Sequence, residues 1–202
     1  MQIVHLRHLN REQTELCEFL RREAGRCWSE IIEVQVASRN EPNWLWQKEL
    51  VAVAQTKHFA LHTHSIQAVC QKMVANILTA LNLIKQEKAV GRVTTQLPHR
   101  PKDFFNVTWK FQDSKASAVK KDGRTLKLSN GRETPPLVIT LPSECEEMAV
   151  HNVELGWLSD HYVLYLTVDT GVTNPPLLQG KRVAGVDLGE VNIAAVVTQD
   201  GN

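Results

Sequence analysis

An acidic residue at the end of an apolar run is the feature of this sequence that most directly suggests chemistry. Asp187 follows the apolar residues 183–186, and a second apolar run occupies residues 193–197. Two short apolar runs separated by turn-forming residues predict a strand hairpin. Burying a carboxylate is costly unless its charge is compensated, and a divalent cation is a common partner. The stretch therefore predicts a metal ligand at Asp187, with an Asp that only caps a turn as the plainer alternative.

The residues between the two runs extend this pattern. Gly189 permits a sharp turn or the close approach of a ligand, Glu190 follows it, and Asn192 precedes the second run. The whole pattern, Gly-Val-Asp-Leu-Gly-x-x-Asn-x-Ala, resembles the first motif of RuvC-like nucleases of the RNase H fold. In particular it is similar to the motif of TnpB proteins of insertion sequences and of the related type V CRISPR effectors. The resemblance implies that Asp187 is catalytic and binds metal, that Asn192 secures the turn, and that Glu190 is exposed.

The chemistry implied by this resemblance is metal-dependent cleavage of DNA. RuvC-type sites hold two divalent ions with three or four carboxylates, and the ions activate a water and stabilise the leaving oxygen. Asp187 is the first of these ligands, and we find no counterpart of the later carboxylates or of the family's zinc ribbon before Asn202. We therefore expect this chain alone to bind RNA without cutting DNA. Mg²⁺ is expected only in a complete RuvC site, and no zinc is expected in this chain.

The distribution of charge favours a nucleic-acid partner although the net charge is only +1. Residues 85–133 hold twelve Lys and Arg against five Asp and Glu, whereas residues 141–170 hold six acids and no Lys or Arg. Such an asymmetry can form a basic surface on a nearly neutral protein. A solvated basic face without a ligand is the alternative. The predicted nucleic-acid-binding residues are Arg100, Lys102, Lys110, Lys115, Lys120, Lys121, Arg124 and Lys127.

Several other classes of protein and site are not indicated. The cysteines are far apart and form no Cys-x-x-Cys pair, which argues against a zinc site and for a reducing, cytosolic setting. No apolar run approaches the ~20 residues that span a bilayer, and the N-terminus does not have the pattern of a signal peptide. His62 and His64 are two residues apart, a spacing that does not place both on one helix face, so a metal site there is not favoured.

The pattern of apolar residues predicts helices in the first half of the chain and strands in the second. A strand over residues 2–9 precedes Asn10, which with Gln13 forms the signature of a capping box. Apolar residues at helical spacing follow, with Phe19 widening the apolar face, then a short helix near residues 44–55 and another helix with its apolar face over 66–84. After the extended basic connector 97–102, about six strands are predicted, then a Pro-rich linker at residues 174–176. One strand has Val107, Trp109 and Phe111 on its buried face, and another covers Thr125–Leu128.

This order predicts an α+β fold in which strand 2–9 pairs with the later strands and the helices are an insertion. The resemblance to TnpB implies a wedge-type β-barrel with an inserted helical recognition lobe, followed by the first hairpin of an RNase H-like (RuvC) domain. Three local stretches, 10–16, 61–67 and 97–102, are also similar to that family. The implied domains are a first barrel strand, the helical lobe, the wedge barrel, and a linker with the truncated start of the RuvC domain, at residues 1–9, 10–96, 97–172 and 173–202.

The resemblance implies a function and its partners. We expect the guide-RNA- and DNA-binding part of an RNA-guided DNA endonuclease, with guide RNA, target DNA and the remaining C-terminal part of the nuclease as partners, and no membrane. It implies a prokaryotic cytoplasmic protein associated with the nucleoid. One alternative is a nuclease-inactive, RNA-guided DNA-binding module. Another is a fragment of an actin-like or sugar-kinase ATPase, whose Asp-Gly hairpin usually opens the chain, unlike the hairpin at Asp187.

Overall fold

The computed structural model describes residues 1–112 and 117–169 in full, and the backbone of two further strands, Ala184–Asp187 and Ala195–Thr198. The contacts divide the chain into two compact units, Met1–Thr170 and Gly171–Asn202. Each unit is therefore described separately. The predicted Pro-rich linker at residues 174–176 and the predicted contact residue Lys115 lie outside the described residues.

Three helices follow the first strand of the larger unit. They are α1 (Arg11–Ser38), α2 (Gln47–Gln55) and α3 (Thr63–Ala89). The predicted capping box at the start of α1 is confirmed: the Gln13 backbone N–H donates to Asn10 Oδ1 at 2.8 Å, and the Asn10 backbone N–H donates to Gln13 Oε1 at 3.0 Å. Two of the N–H groups that would lack partners at a helix start are thus satisfied.

The apolar faces of the long helices form much of the core. On α1, Leu20, Cys27 and Ile31 are buried at the predicted helical spacing, as are Met73 and Ile77 on α3. The expectation that Phe19 widens the apolar face of α1 is wrong, because its side chain is 44% exposed. Phe19 precedes the fully buried Leu20 and therefore points about 100° away from the core-facing line.

The described strands of the larger unit form two antiparallel sheets. In chain order the strands are β1 (Gln2–Leu6), β2 (Val107–Lys110), β3 (Val119–Asp122), β4 (Thr125–Leu128), β5 (Leu137–Thr140), β6 (Ala149–Leu158) and β7 (His161–Asp169). The four-stranded sheet has the order β1-β7-β6-β2 and the three-stranded sheet the order β3-β4-β5.

The first strand pairs with the last strand of this unit, which confirms the prediction that the helices are inserted between paired strands. Val4 lies opposite Leu164, and Leu6 lies opposite Tyr162. All four side chains are buried. In the part of the chain that the structure describes, no strand pairing joins the two sheets. Closure into a wedge-type barrel therefore stays a prediction.

Strand β2 connects the four-stranded sheet to the smaller one through a buried tryptophan. Trp109 is fully buried, and its indole Nε1–H donates to the Ser129 carbonyl oxygen at 2.9 Å. The predicted alternation of this strand holds for Val107 and Trp109 but is wrong for Phe111, which follows the strand and is 46% exposed. Thr108, on the opposite face of β2, is also buried, because helix α3 packs against this strand.

The smaller unit contains the predicted hairpin. Strands β8 (Ala184–Asp187) and β9 (Ala195–Thr198) pair antiparallel, with Asp187 opposite Ala195. Asp187 is the last residue of β8, as the sequence pattern predicts. The Asp187 side chain and the connecting residues 188–194, including Gly189, Glu190 and Asn192, lie outside the described part of the chain.

The carboxylate of Glu87 holds the end of α3 to the residues that follow the helix. This contact leads to a prediction about how stability depends on pH. The Glu87 oxygens accept hydrogen bonds from the backbone N–H and hydroxyl groups of Thr94 and Thr95 at 2.8–2.9 Å. These bonds, those from the backbone first, lower the pKa of Glu87 to about 2 from an ordinary value of 4.5. A depressed carboxyl pKa stabilises the folded state above the unfolded pKa, and the stabilisation is lost as the pH falls through the folded pKa.

We therefore expect the contribution of Glu87 to be complete above about pH 4.5 and to disappear by about pH 2. Carbon-detected NMR titration of the Glu87 carboxyl should give the depressed pKa, and Thr95→Val should raise it by removing one donor. An unshifted titration of Glu87 in the wild-type protein would contradict the capping contact.

Candidate nucleic-acid interface

Two lysines lie directly opposite each other on the exposed face of the three-stranded sheet. Lys120 on β3 is in register with Lys127 on β4, and Lys127 is in register with Val138 on β5. The flanking residues Val119 and Leu128 are buried, so the alternation of the strands turns both lysines outward. We call Lys120 and Lys127 the lysine pair.

The lysine pair carries two like charges that no described residue neutralises by an ion pair. Directly opposed side chains on paired strands have Cβ atoms ~4.5–5.5 Å apart, and like charges at that position are destabilising. Neither ammonium forms an ion pair or side-chain hydrogen bond with another described residue. Asp122 lies two residues along β3 on the same face, and it is the closest acid along that strand. An anion placed across the pair would therefore relieve repulsion as well as gain attraction.

Lys121 and Arg124 border the same sheet but are partly engaged by the protein. The Lys121 ammonium donates to the Glu146 carbonyl oxygen. Arg124 Nε–H donates to the Leu141 carbonyl oxygen at 2.9 Å, while the side chain remains exposed. A guanidinium has five N–H donors, so Arg124 retains donors for an anion after this bond. The structure thus gathers four of the eight predicted contact residues around one small sheet.

Two other predicted residues, Lys102 and Lys110, form with Lys72 a second basic group, in which Lys102 and Lys72 pack on aromatic rings. Lys102 Nζ lies 4.6 Å from the centre of the Trp28 ring and 4.7 Å from that of Phe105. Lys72 Nζ lies 5.7 Å from the Phe105 ring. Burial lowers the pKa of Lys102, and the charge of Lys72 lowers it further. Lys102 is thus held by cation–π contacts, with part of its hydration removed.

The other basic members of this group also have protein partners. Lys72 forms an ion pair with Glu154 at 2.7 Å, and Lys110 Nζ donates to Gln71 Oε1 at 2.8 Å. These contacts join α3 to strands β2 and β6, so the second group contributes to tertiary packing. Arg100 is exposed nearby in the chain, and its carbonyl oxygen accepts from Trp28 Nε1 at 3.1 Å.

Sequence reasoning missed an arginine-aromatic surface next to the connector. The guanidinium groups of Arg21 and Arg22 lie 5.5 Å and 4.9 Å from the centre of the Phe104 ring, which is 39% exposed. Exposed aromatic rings and guanidinium planes can stack on nucleobases. The adjacent Phe104 and Phe105 after a basic connector were an available signal. Lys72 gave no such signal, because its partners come from distant parts of the chain.

Metal-binding groups are sparse among the described residues. No cluster of three or more His, Cys, Asp or Glu side chains suited to a metal ion occurs there. All four cysteines are free and buried. Burial raises the pKa of the Cys17 and Cys70 thiols to about 12, so both are protonated at neutral pH. The structure therefore gives these cysteines the environment of apolar core residues.

The comparisons with known proteins do not assign this chain to a family. Neither a scan against protein-family models nor a search of curated proteins finds a match to this chain. Among the described residues, no helix combines the length and the apolar character needed to cross a membrane.

Proposed function

We propose that this chain is the N-terminal, guide-RNA- and DNA-binding part of an RNA-guided DNA endonuclease of the TnpB and type V CRISPR kind. The observation that carries the binding function is the lysine pair, two opposed ammonium groups on an exposed sheet face with no compensating acid in contact among the described residues. Phosphate groups of a nucleic-acid backbone are the ligands that this arrangement suits. Base-specific contact is not required, since guide-RNA readers bind backbone and shape.

The order of the elements supports the same proposal. Helices α1 to α3 lie in the chain between strand β1 and the remaining strands, yet β1 pairs with β7. A helical insertion in a β domain, followed by a hairpin that ends its first strand in Asp187, is the order that the family resemblance implies. The exposed Phe104 with Arg21 and Arg22 adds a surface on which an unpaired base could stack.

The test of binding is the salt dependence of RNA affinity. Fluorescence anisotropy with a structured RNA hairpin should show an affinity that falls steeply as salt rises, because bound lysines release counterions. Lys120→Ala with Lys127→Ala should weaken binding and reduce the slope of log K against log salt by about 1.4–1.8, or 0.7–0.9 for each lost phosphate contact. The double variant should fold normally, since both side chains are exposed.

A matched control removes the same charge elsewhere. Lys48 on α2 and Lys85 on α3 are exposed and belong to other elements. Lys48→Ala with Lys85→Ala should leave the slope within about half a unit of the wild-type value, since long-range charge effects are screened at physiological salt. Salt-independent RNA binding, or equal loss in both double variants, would count against the proposed interface.

The nuclease part of the proposal rests on Asp187. In a complete RuvC site this carboxylate would hold one Mg²⁺, and the metal would activate water for phosphodiester hydrolysis. Asp187→Asn should abolish cleavage of guide-matched DNA by a nuclease that contains this chain. Raising the RNA concentration should not restore the cleavage. Full cleavage by that variant would remove Asp187 from the catalytic site and favour a different assignment for the β8–β9 hairpin.

A further inference from the structure

Two histidines that are far apart in the sequence meet between strands β1 and β7. His5 Nδ1 and His161 Nε2 are 2.8 Å apart although 156 residues separate them in the chain. The ring centres are 5.1 Å apart and the rings are inclined by 37°. Since the two nitrogens are much closer than the ring centres, they face each other across the strand pair. The contact is a hydrogen bond, so a proton lies between the two nitrogens.

A carboxylate fixes the chemical form of one of these rings. Asp160 Oδ1 lies 2.7 Å from His161 Nδ1, so this nitrogen carries a proton and donates a hydrogen bond to Asp160. In the neutral ring, Nε2 of His161 is then the acceptor, and His5 Nδ1–H donates to it. A carboxylate that orients one nitrogen of an imidazole while the other ligates a metal is a recurrent arrangement in metalloproteins.

We propose that His5 and His161 form a binding site for a divalent transition-metal ion of the Zn²⁺ class, with Asp160 as the residue that positions His161. Imidazole nitrogen suits Zn²⁺ and its neighbours in the transition series. Two nitrogens bound at the usual Zn–N distance in a tetrahedral site are about 3.3 Å apart, so the observed pair needs to open by about half an ångström. The ion replaces the proton between the two nitrogens, which is released to solvent. His5 is exposed, so its ring can turn to open the pair, and water completes the coordination.

The occupied site would fasten the N-terminal strand to the sheet. His5 belongs to β1, which is an edge strand, and His161 begins β7, its neighbour. An ion that binds the folded state and not the unfolded chain raises the apparent stability by mass action. With two protein ligands the site is open. Its role is therefore a clip between strands, and it is independent of nucleic-acid binding.

The other candidates for the ion are less well arranged. His62 and His64 have ring centres 4.9 Å apart, but the rings meet edge to face, and His62 Nδ1 accepts from the His64 backbone N–H at 3.2 Å. Their side-chain nitrogens therefore do not converge as those of His5 and His161 do. The cysteines are buried. The hydrogen bond from His161 lowers the pKa of Asp160, and the charge of Arg7 lowers it further.

The proposal is tested by titrating the full chain with ZnCl₂ in chelator-free buffer. Calorimetry should show one ion per chain, and the melting temperature should rise with Zn²⁺. His5→Gln and His161→Gln should each weaken binding at least tenfold. Asp160→Asn should weaken it by about tenfold, the usual effect of losing a partner that orients a ligand. The control His62→Gln with His64→Gln should bind as the wild type does.

Nitrogen NMR of the imidazole rings supplies a readout that a structural effect would not reproduce. On adding Zn²⁺, the ¹⁵N resonances of His5 Nδ1 and His161 Nε2 should move to the range of metal-bound nitrogen, while His161 Nδ1 stays protonated. Retained Zn²⁺ affinity in His5→Gln, a dissociation constant above about 1 mM, or loss of affinity in the His62/His64 control would overturn the proposal. Circular dichroism checks that each variant is folded.

Discussion

Replacing Gly25 by alanine should destabilise the protein by about 3 kcal/mol, the upper end of the usual cost of overpacking a core. Alanine is normally the better residue inside a helix, by about 1 kcal/mol. Here, however, a Cβ at Gly25 would lie 2.4 Å from the Asp103 carbonyl oxygen and 2.7 Å from that of Lys102. Both are backbone atoms at the end of the connector and just after it, so they cannot move aside as a flexible side chain would.

The close crossing at Gly25 is held by a serine one turn later. Ser29 Oγ lies 2.9 Å from the Gly25 carbonyl oxygen, 3.0 Å from the Lys102 carbonyl oxygen and 2.9 Å from the Lys102 backbone nitrogen. This contact places the Lys102 ammonium over the rings of Trp28 and Phe105. Displacing the connector should therefore disturb the second basic group as well as the core.

Urea unfolding followed by circular dichroism measures this effect. Glu33→Ala, an exposed substitution in the same helix, is the control and should change the free energy of unfolding by no more than about 0.5 kcal/mol. If Gly25→Ala were as stable as the wild type or more stable, the connector would not cross α1 as closely as the structure shows.

Replacing Trp109 by alanine should cost about 3–5 kcal/mol, the range for large aromatic residues removed from a core. Trp109 is fully buried, and its indole N–H satisfies the Ser129 carbonyl oxygen at the end of β4. Trp109→Phe keeps most of the apolar volume but removes the donor, and should cost about 1–3 kcal/mol for the unsatisfied carbonyl and the small void. The difference between the two variants separates packing from hydrogen bonding.

Trp157 provides a matched control for Trp109. Its indole N–H also donates to a backbone carbonyl, that of Ser159 at 3.0 Å, but the side chain is 45% exposed. Trp157→Ala should cost about 1 kcal/mol, mainly from the lost ring contact with Tyr162. Equal losses of the free energy of unfolding in Trp109→Ala and Trp157→Ala, in the same urea titration, would show that Trp109 does not hold the two sheets together.

Local sequence patterns predicted most of the elements. The capping box of Asn10 and Gln13, the strand Thr125–Leu128, and the hairpin that ends β8 at Asp187 agree with the structure because short-range hydrogen bonds and alternating burial determine them. The prediction failed where burial depends on what lies opposite. Phe19 and Phe111 fit an apolar pattern, yet both are exposed, because Phe19 points away from the core-facing line of α1 and Phe111 lies beyond the end of β2.

The candidate sites show the same division. The sequence by itself placed a concentration of lysines and arginines in residues 85–133. Only the tertiary structure separated the uncompensated lysine pair from Lys102 and Lys110, which have partners from the helices, because a charge is neutralised by whatever lies near it in space.

Two features were invisible in the sequence for the same physical reason. The meeting of His5 with His161 depends on the pairing of β1 with β7, and the need for glycine at position 25 depends on where the connector crosses α1. The order of the elements and the position of Asp187 at a strand end follow from local propensity and the pattern of apolar residues in the sequence. Which distant groups come within a few ångströms of each other is decided by packing alone.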